Sequence, residues 1–233
     1  MSERPRRERV ADPRAIAVAR VDHHLGPVLP TRLHPQQLRA HVRELLGPGA
    51  GWVPERAGDG LPAAPGDPMR LAAVLVPLVE RSSGLHVLLT RRTDHLHDHA
   101  GQISFPGGRH DPGDESLVAT ALREAREEIG LGPERVEVLG RLDTYLIRTG
   151  YEVTPVVGLV TPPVDLRPDP FEVDEIFAVP LDFLIDPRNR ERRARDVDGA
   201  RREFWAIPYG SYFIWGATAG MLVNLSDVLL GQS

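Results

Sequence analysis

The chain of 233 residues has no cysteine and no lysine, so all 28 of its basic residues are arginine. The first absence excludes a thiol nucleophile, a disulfide and a thiolate zinc site. The second excludes a Schiff-base nucleophile, a lysine general base and the lysine that P-loops place on nucleotide phosphates. Carboxylate, histidine and hydroxyl chemistry remain. Arginine in place of lysine, together with 22 Gly and 22 Pro, is most simply read as codon bias. No window reaches the roughly 18 apolar residues of a membrane helix, and the opening MSERPRRERVADPR is charged with no apolar stretch behind it. A net charge of −5, with 41% apolar and 26% charged residues, is an ordinary balance for a folded domain. The expectation is a cytoplasmic protein with neither nucleic acid nor membrane as partner.

Residues 1 to about 30 show little periodicity and read as a solvated arm or edge segment. Leu38, Val42, Leu45 and Leu46 recur at helical spacing, with Pro35 suited to a first turn and Gly47 to a stop. The stretch 47–68 is rich in Gly and Pro and reads as a linker, dividing the chain into an N-terminal segment, 1–68, and a main domain, 69–233. LAAVLVPLV from Leu71 and LHVLL after Ser82-Ser83-Gly84 predict two core strands in a hairpin. A polar, His-rich stretch and FPGG follow, then a helix from about Glu115 to Ile129 stopped by Gly130. Val136–Arg141, Tyr151–Val160 and Ile176–Val179 predict strands, and Trp215–Leu230 a helix. This order predicts one α/β domain, a mixed sheet covered by helices.

On the 115–129 helix, Val118, Leu122, Ala125 and Ile129 make the expected buried face. Glu124, Glu127 and Glu128, at i, i+3 and i+4, are expected to share one acidic patch elsewhere. Arg123 and Arg126 could neutralise such a patch on a solvated face. A hard divalent cation is the other solution, since Mg²⁺ takes a few carboxylates plus substrate phosphates. Gly107-Gly108 and the acids Asp111, Asp114 and Glu115 just ahead of the helix favour the cation-and-phosphate site.

The run GRHDPGDESLVATALREAREEIGL from Gly108 closely resembles the signature of the Nudix hydrolases, and from Arg123 to Leu131 it matches position for position. In the first half, both Asp114 and Glu115 are candidates for the spaced acid, because the gap to Arg123 is one residue longer than usual. Upstream, LLTRRTDHLHDHAGQISFPGG from Leu88 to Gly108 resembles the second signature of the coenzyme A pyrophosphatase branch, with Thr93 in place of Ser and His97 in place of Arg.

The resemblance implies a Nudix-type α/β/α sandwich with a mixed β-sheet. It implies a diphosphatase that uses Mg²⁺ or Mn²⁺ to cut coenzyme A and its derivatives to 3′,5′-ADP and 4′-phosphopantetheine or its acyl form. Arg123, Glu124, Glu127 and Glu128 would carry the catalysis, with the three glutamates as metal ligands. Arg92, His99, Gly101, Gln102, Phe105, Gly107 and Gly108 would meet the nucleotide. Glu127, Glu172 and Glu175 are candidates for the base. The alternatives are a Nudix hydrolase of another nucleoside diphosphate derivative such as ADP-ribose, and a non-catalytic nucleotide-sensing module, against which the full set of glutamates stands. His95, His97 and His99 alternate as zinc ligands would on a strand, but the segment is too polar for one and no cysteine supports it. The arginines at 188, 190, 192, 193, 195, 201 and 202 are interleaved with acids and read as a solvated loop or hairpin ahead of a phosphate grip. Trp52, Trp205 and Trp215 read as packing residues.

Overall fold

A computed structural model describes residues 12–22, 34–46, 57–58, 69–95, 100–147, 150–197 and 199–230. In chain order the elements are β1 (Val18–Val21), α1 (Pro35–Leu46), β2 (Ala57–Gly58), β3 (Arg70–Arg81), β4 (Gly84–Arg92), β5 (Ile103–Ser104), β6 (Gly107–Arg109) and α2 (Leu117–Ile129). They continue with β7 (Val136–Arg141), β8 (Tyr145–Ile147), β9 (Tyr151–Val160), β10 (Val173–Pro180), α3 (Leu181–Ile185), β11 (Glu191–Val197), β12 (Ala200–Tyr209), β13 (Tyr212–Trp215) and α4 (Ala217–Leu230).

The larger sheet runs β10-β4-β3-β9-β8-β2, with β5 on β4, β6 on β3 and β7 on β9. It is mixed: β3 lies parallel to β9 from Arg70↔Tyr151 to Val79↔Val160, while β4 and β10 run antiparallel to their neighbours. Both faces are covered, which is why β3 reads as a nearly continuous apolar run. Ala73, Leu75 and Val79 point to a core shared with Ala121, Ala125 and Ile129 of α2. Ala72, Val76 and Leu78 point the other way, into a core shared with α1, α3 and α4 through Leu38, Leu184 and Leu222. The result is an α/β/α sandwich. A second sheet, β1-β11-β12-β13, adds Ile207 and Ile214 to the second core.

Part of the N-terminal segment is thus built into the domain. β1 is an edge strand on β11, and Arg193 Nη1 donates to the carbonyls of Arg14 and Ile16 at 2.6 and 2.7 Å. Behind it, buried Arg190 faces Asp22 at 3.2 Å and Asp227 of α4 at 3.3 Å. The arginine-rich stretch is the β11–β12 hairpin and the turn before it: Arg188 pairs with Asp186 in that turn, and in the hairpin Arg193 pairs with Glu191 and Arg192 and Arg201 with Glu203. Arg190 and Arg192 also lie over the ring of Trp205, and Trp215 packs edge-on against Phe204, so both tryptophans are packing residues. Trp52 is outside the described residues.

Two helix boundaries differ from expectation. Helix α2 starts at Leu117 because Ser116 is its cap, its Oγ accepting from Ala119 N at 3.1 Å. Trp215 closes β13 rather than opening α4, the chain turning between them at Gly216 with φ 64°. At its other end α2 stops at Gly130 in the left-handed region (φ 69°), where Gly130 N and Leu131 N close on the carbonyls of Arg126 and Ala125.

Candidate active site

Helix α2 is rotated from the face expected for it. Ala121, Ala125 and Ile129 are buried, while Val118 and Leu122 are only partly so. Glu128 goes inward with them, its side chain 5% exposed, whereas Glu124 is 16% and Glu127 58% exposed. The three carboxylates therefore do not form one surface patch. Positions 121, 124, 125 and 128 fall on one side of the wheel, toward the β6 strand, and 127 lies about 100° from 128.

Each carboxylate has its own partners. Gly107 N donates to Glu128 Oε2 at 3.2 Å, and Arg92 Nη1 stands 3.6 Å from its Oε1. Burial, the dominant cause, pushes the Glu128 carboxyl up to about 8, and the negative fields of Glu172 and Glu124 add to it against the Gly107 bond and the Arg92 charge. Burial also raises Glu124, partly opposed by the Arg123 guanidinium 3.0 Å away. Gly108 leaves room here: a Cβ on it would come within 2.5 Å of the Glu124 carboxylate and push it from its place.

Arg123 is the organiser. Its Nε and Nη2 donate to the two oxygens of Asp114 at 2.9 and 3.0 Å, Nη2 also reaches Arg109 O at 3.1 Å, and Nη1 reaches Glu127 at 2.9 Å. Asp114 accepts further bonds from Thr120 Oγ1 and Asp111 N at 2.8 and 3.1 Å. The Arg123 hydrogen bonds hold its carboxyl far below the usual carboxylate range. Of the two acids left open by the sequence, Asp114 is thus the one that Arg123 grips.

The upstream motif closes on the same place. Arg92 N donates to Gln102 O at 3.0 Å and Gly101 N to Arg92 O at 3.2 Å, so the loop returns onto the end of β4. Gly101 turns it at φ 67°. Arg92 Nη2 also faces Glu172 at 3.7 Å. Phe105 is corrected from a substrate contact to a core residue, since it is 2% exposed and packs in the second core. His99 and His97 lie outside the described residues.

Among the base candidates, Glu172 shares the field of Glu124 and Glu128. Glu175 is turned away, accepting from Tyr212 Oη at 2.7 Å and pairing with Arg91 at 3.3 Å.

Among the described residues no three His, Asp or Glu side chains make a ready-made metal cluster. The donor set nevertheless fits a hard divalent cation. It is all oxygen, and a buried carboxylate with one hydrogen bond at 3.2 Å is left facing two others that repel it.

Residues 69–198, more than half of the chain, match the NUDIX domain family. The Nudix hydrolase NudL of Enterobacter sp. (strain 638), itself uncharacterized, is 42% identical over 163 residues, covering 67% of this chain and 81% of that protein. Its namesake from Escherichia coli O1:K1 / APEC is 44% identical over the same shares. Among solved structures, the MutT protein of Methanosarcina mazei Go1 is 25% identical over 52% of this chain and 84% of that one, with a TM-score of 0.42. The arginine-organised glutamate helix thus stands in a chain that belongs to the Nudix hydrolase family.

Proposed function

We propose that the protein hydrolyses the diphosphate bond of coenzyme A and its derivatives to 3′,5′-ADP and 4′-phosphopantetheine or the corresponding acyl form. One observation carries this reading. The segment 88–108, which resembles the coenzyme A pyrophosphatase branch, supplies both groups that seat Glu128: the Arg92 guanidinium and Gly107 N. The branch-like motif and the glutamate helix are therefore one site.

In this site Glu124 and Glu128 would hold Mg²⁺ or Mn²⁺, with Glu127 adding its charge from the exposed side. Bound there, the cation supplies charge neutralisation of the diphosphate oxygens and a lowered pKa for water. Arg123 positions Glu124 and Glu127 through their shared guanidinium, and Asp114 fixes Arg123 in turn. Arg92 balances Glu128 against Glu172 and offers a planar donor to phosphate oxygens. The water oxygen bonds to one phosphorus as the bond from that phosphorus to the bridging oxygen breaks, and Glu172 receives the proton of the water. Gly107 lets β6 lie close on Ala73 and Val74 of β3, Gly108 leaves room for the Glu124 carboxylate, and Gly101 and Gln102 hold the loop that borders the site.

The substitution of His97 for the branch arginine favours one second reading, a shift of specificity to ADP-ribose or a related nucleoside diphosphate. Incubation of the purified protein with Mg²⁺ or Mn²⁺ and, in parallel, coenzyme A, ADP-ribose and diadenosine polyphosphates separates the two. Release of 3′,5′-ADP from coenzyme A supports the proposal. Release of AMP from ADP-ribose without turnover of coenzyme A replaces it with the second reading, and binding without any turnover would make the chain a sensing module.

A further inference from the structure

Phe171 is 67% exposed, more than any other large apolar side chain among the described residues. It is not on a loose loop. Asp169 Oδ1 accepts from Phe171 N at 2.8 Å and from Glu172 N at 3.2 Å, forming a tight turn. That turn is tied to both halves of the site. Asp169 N donates to the carbonyl of Glu128 at 2.8 Å, and Arg167 N to that of Ile129 at 3.0 Å. On the other side Thr93 Oγ1 donates to Phe171 O at 2.8 Å and Thr93 N to Glu172 O at 3.0 Å. His95 packs on the Phe171 ring with centroids 5.1 Å apart and planes at 58°, which braces the ring while leaving most of it open.

An apolar ring held this firmly in water gives up hydrophobic burial that a small rearrangement would recover. Its neighbour in the chain is Glu172, whose carboxylate faces Arg92. Thr93, whose hydroxyl and amide hold the carbonyls of Phe171 and Glu172, follows Arg92 in the chain, so the backbone that carries the ring borders the proposed diphosphate site. We infer that Phe171, braced by His95, is the platform on which the base of the nucleotide substrate stacks. This rests on the proposed nucleotide diphosphatase activity and names the residue that reads the nucleoside side. A flat aromatic face suits the stacking of a planar base more than contact with a flexible chain.

Base stacking on an aromatic side chain corresponds to roughly 5- to 150-fold in affinity. The test is calorimetric binding of 3′,5′-ADP and of its base-free counterpart, ribose 3,5-bisphosphate, to the full chain in Mg²⁺. The wild type should prefer 3′,5′-ADP by at least about fivefold. Phe171→Ala should erase the preference and leave the affinity for ribose 3,5-bisphosphate in place, while Phe171→Trp should retain it. Three results overturn the inference: no preference in the wild type, a preference that survives Phe171→Ala, or an equal loss for both ligands. A fourth does so too, a Phe171→Ala defect seen with coenzyme A and absent with 3′,5′-ADP, because the ring would then cover the pantetheine arm. Should coenzyme A itself not be cleaved, the pair AMP and ribose 5-phosphate asks the same question of the ring, so the two proposals fail separately.

Discussion

Glu128→Gln should make the metal-free protein more stable while removing its turnover. The Glu128 carboxyl is pushed from an ordinary 4.5 up to about 8 by burial. An acid raised in this way costs nothing below the unfolded value, where both states are protonated. As the pH climbs, the unfolded chain releases its proton first, so stability falls between about 4.5 and about 8 and levels off above. At pH 7 the loss is about 3 kcal/mol from this one group, given 1.36 kcal/mol per pKa unit. Glutamine has the same shape, still accepts from Gly107 N, and has no proton to lose. In a chain of this size about 3 kcal/mol corresponds to a melting temperature higher by roughly 6–12 °C. The assay is a thermal melt in EDTA across pH 5 to 8.5: the wild-type curve should decline through that window more steeply than the variant's. Mg²⁺ or Mn²⁺ should then raise the wild-type melt by binding the ionised form and move the variant little. A variant that melts at or below the wild type at pH 8 in EDTA would refute the burial argument. Near wild-type turnover would refute the assignment of Glu128 to the metal.

Other perturbations follow from the same contacts. Gly108→Val drives a side chain into the Glu124 carboxylate, and should lower kcat on the order of 100-fold with the melt little changed. Asp114→Asn removes the charge that Arg123 grips. Because the folded carboxyl is held low, its contribution is full above the ordinary carboxylate range and is lost as the pH falls below it. The variant should therefore melt lower than the wild type at pH 7, with the gap closing toward pH 2, as followed by circular dichroism. Arg190→Leu leaves Asp22 and Asp227 facing each other without their shared cation. It should cost about 3–5 kcal/mol, read from the urea midpoint, whereas turnover per folded molecule stays near wild type.

What the residues declared in advance was what local rules control. Pro35–Leu46 forms α1 and Tyr151–Val160 forms β9 at the expected bounds, since a helical period with a proline start and an apolar run in a covered sheet are both local signals. The Arg123-to-Leu131 match likewise pointed to the helix that carries the candidate site. Which way that helix faces was not readable from its own pattern. Glu128 is drawn inward by Gly107 N and Arg92, two groups 21 and 36 positions away, and an apolar-periodicity argument counts any glutamate as outward. The choice between Asp114 and Glu115 was hidden for the same reason, because it is decided by where Arg123 lands after the helix has packed. Glu172 was among the base candidates, but its choice over Glu175, like the place of Phe171, depends on a turn tied to α2 and to Thr93, contacts that no spacing within either segment announces.

The β11–β12 hairpin also governs how this protein can be divided. The family match ends at residue 198, after the last residue of β11, Val197, and before the first of β12, Ala200. A fragment cut there would keep β11 and discard the strand that pairs with it from Glu191↔Ala206 to Val197↔Ala200. Starting at residue 69, it would also lack β1 on the opposite edge, so β11 would lose both neighbours at once and expose a bare ladder of amide and carbonyl groups. Such a fragment invites strand-to-strand aggregation, and crystallisation or screening work is better served by boundaries that retain residues 12–230.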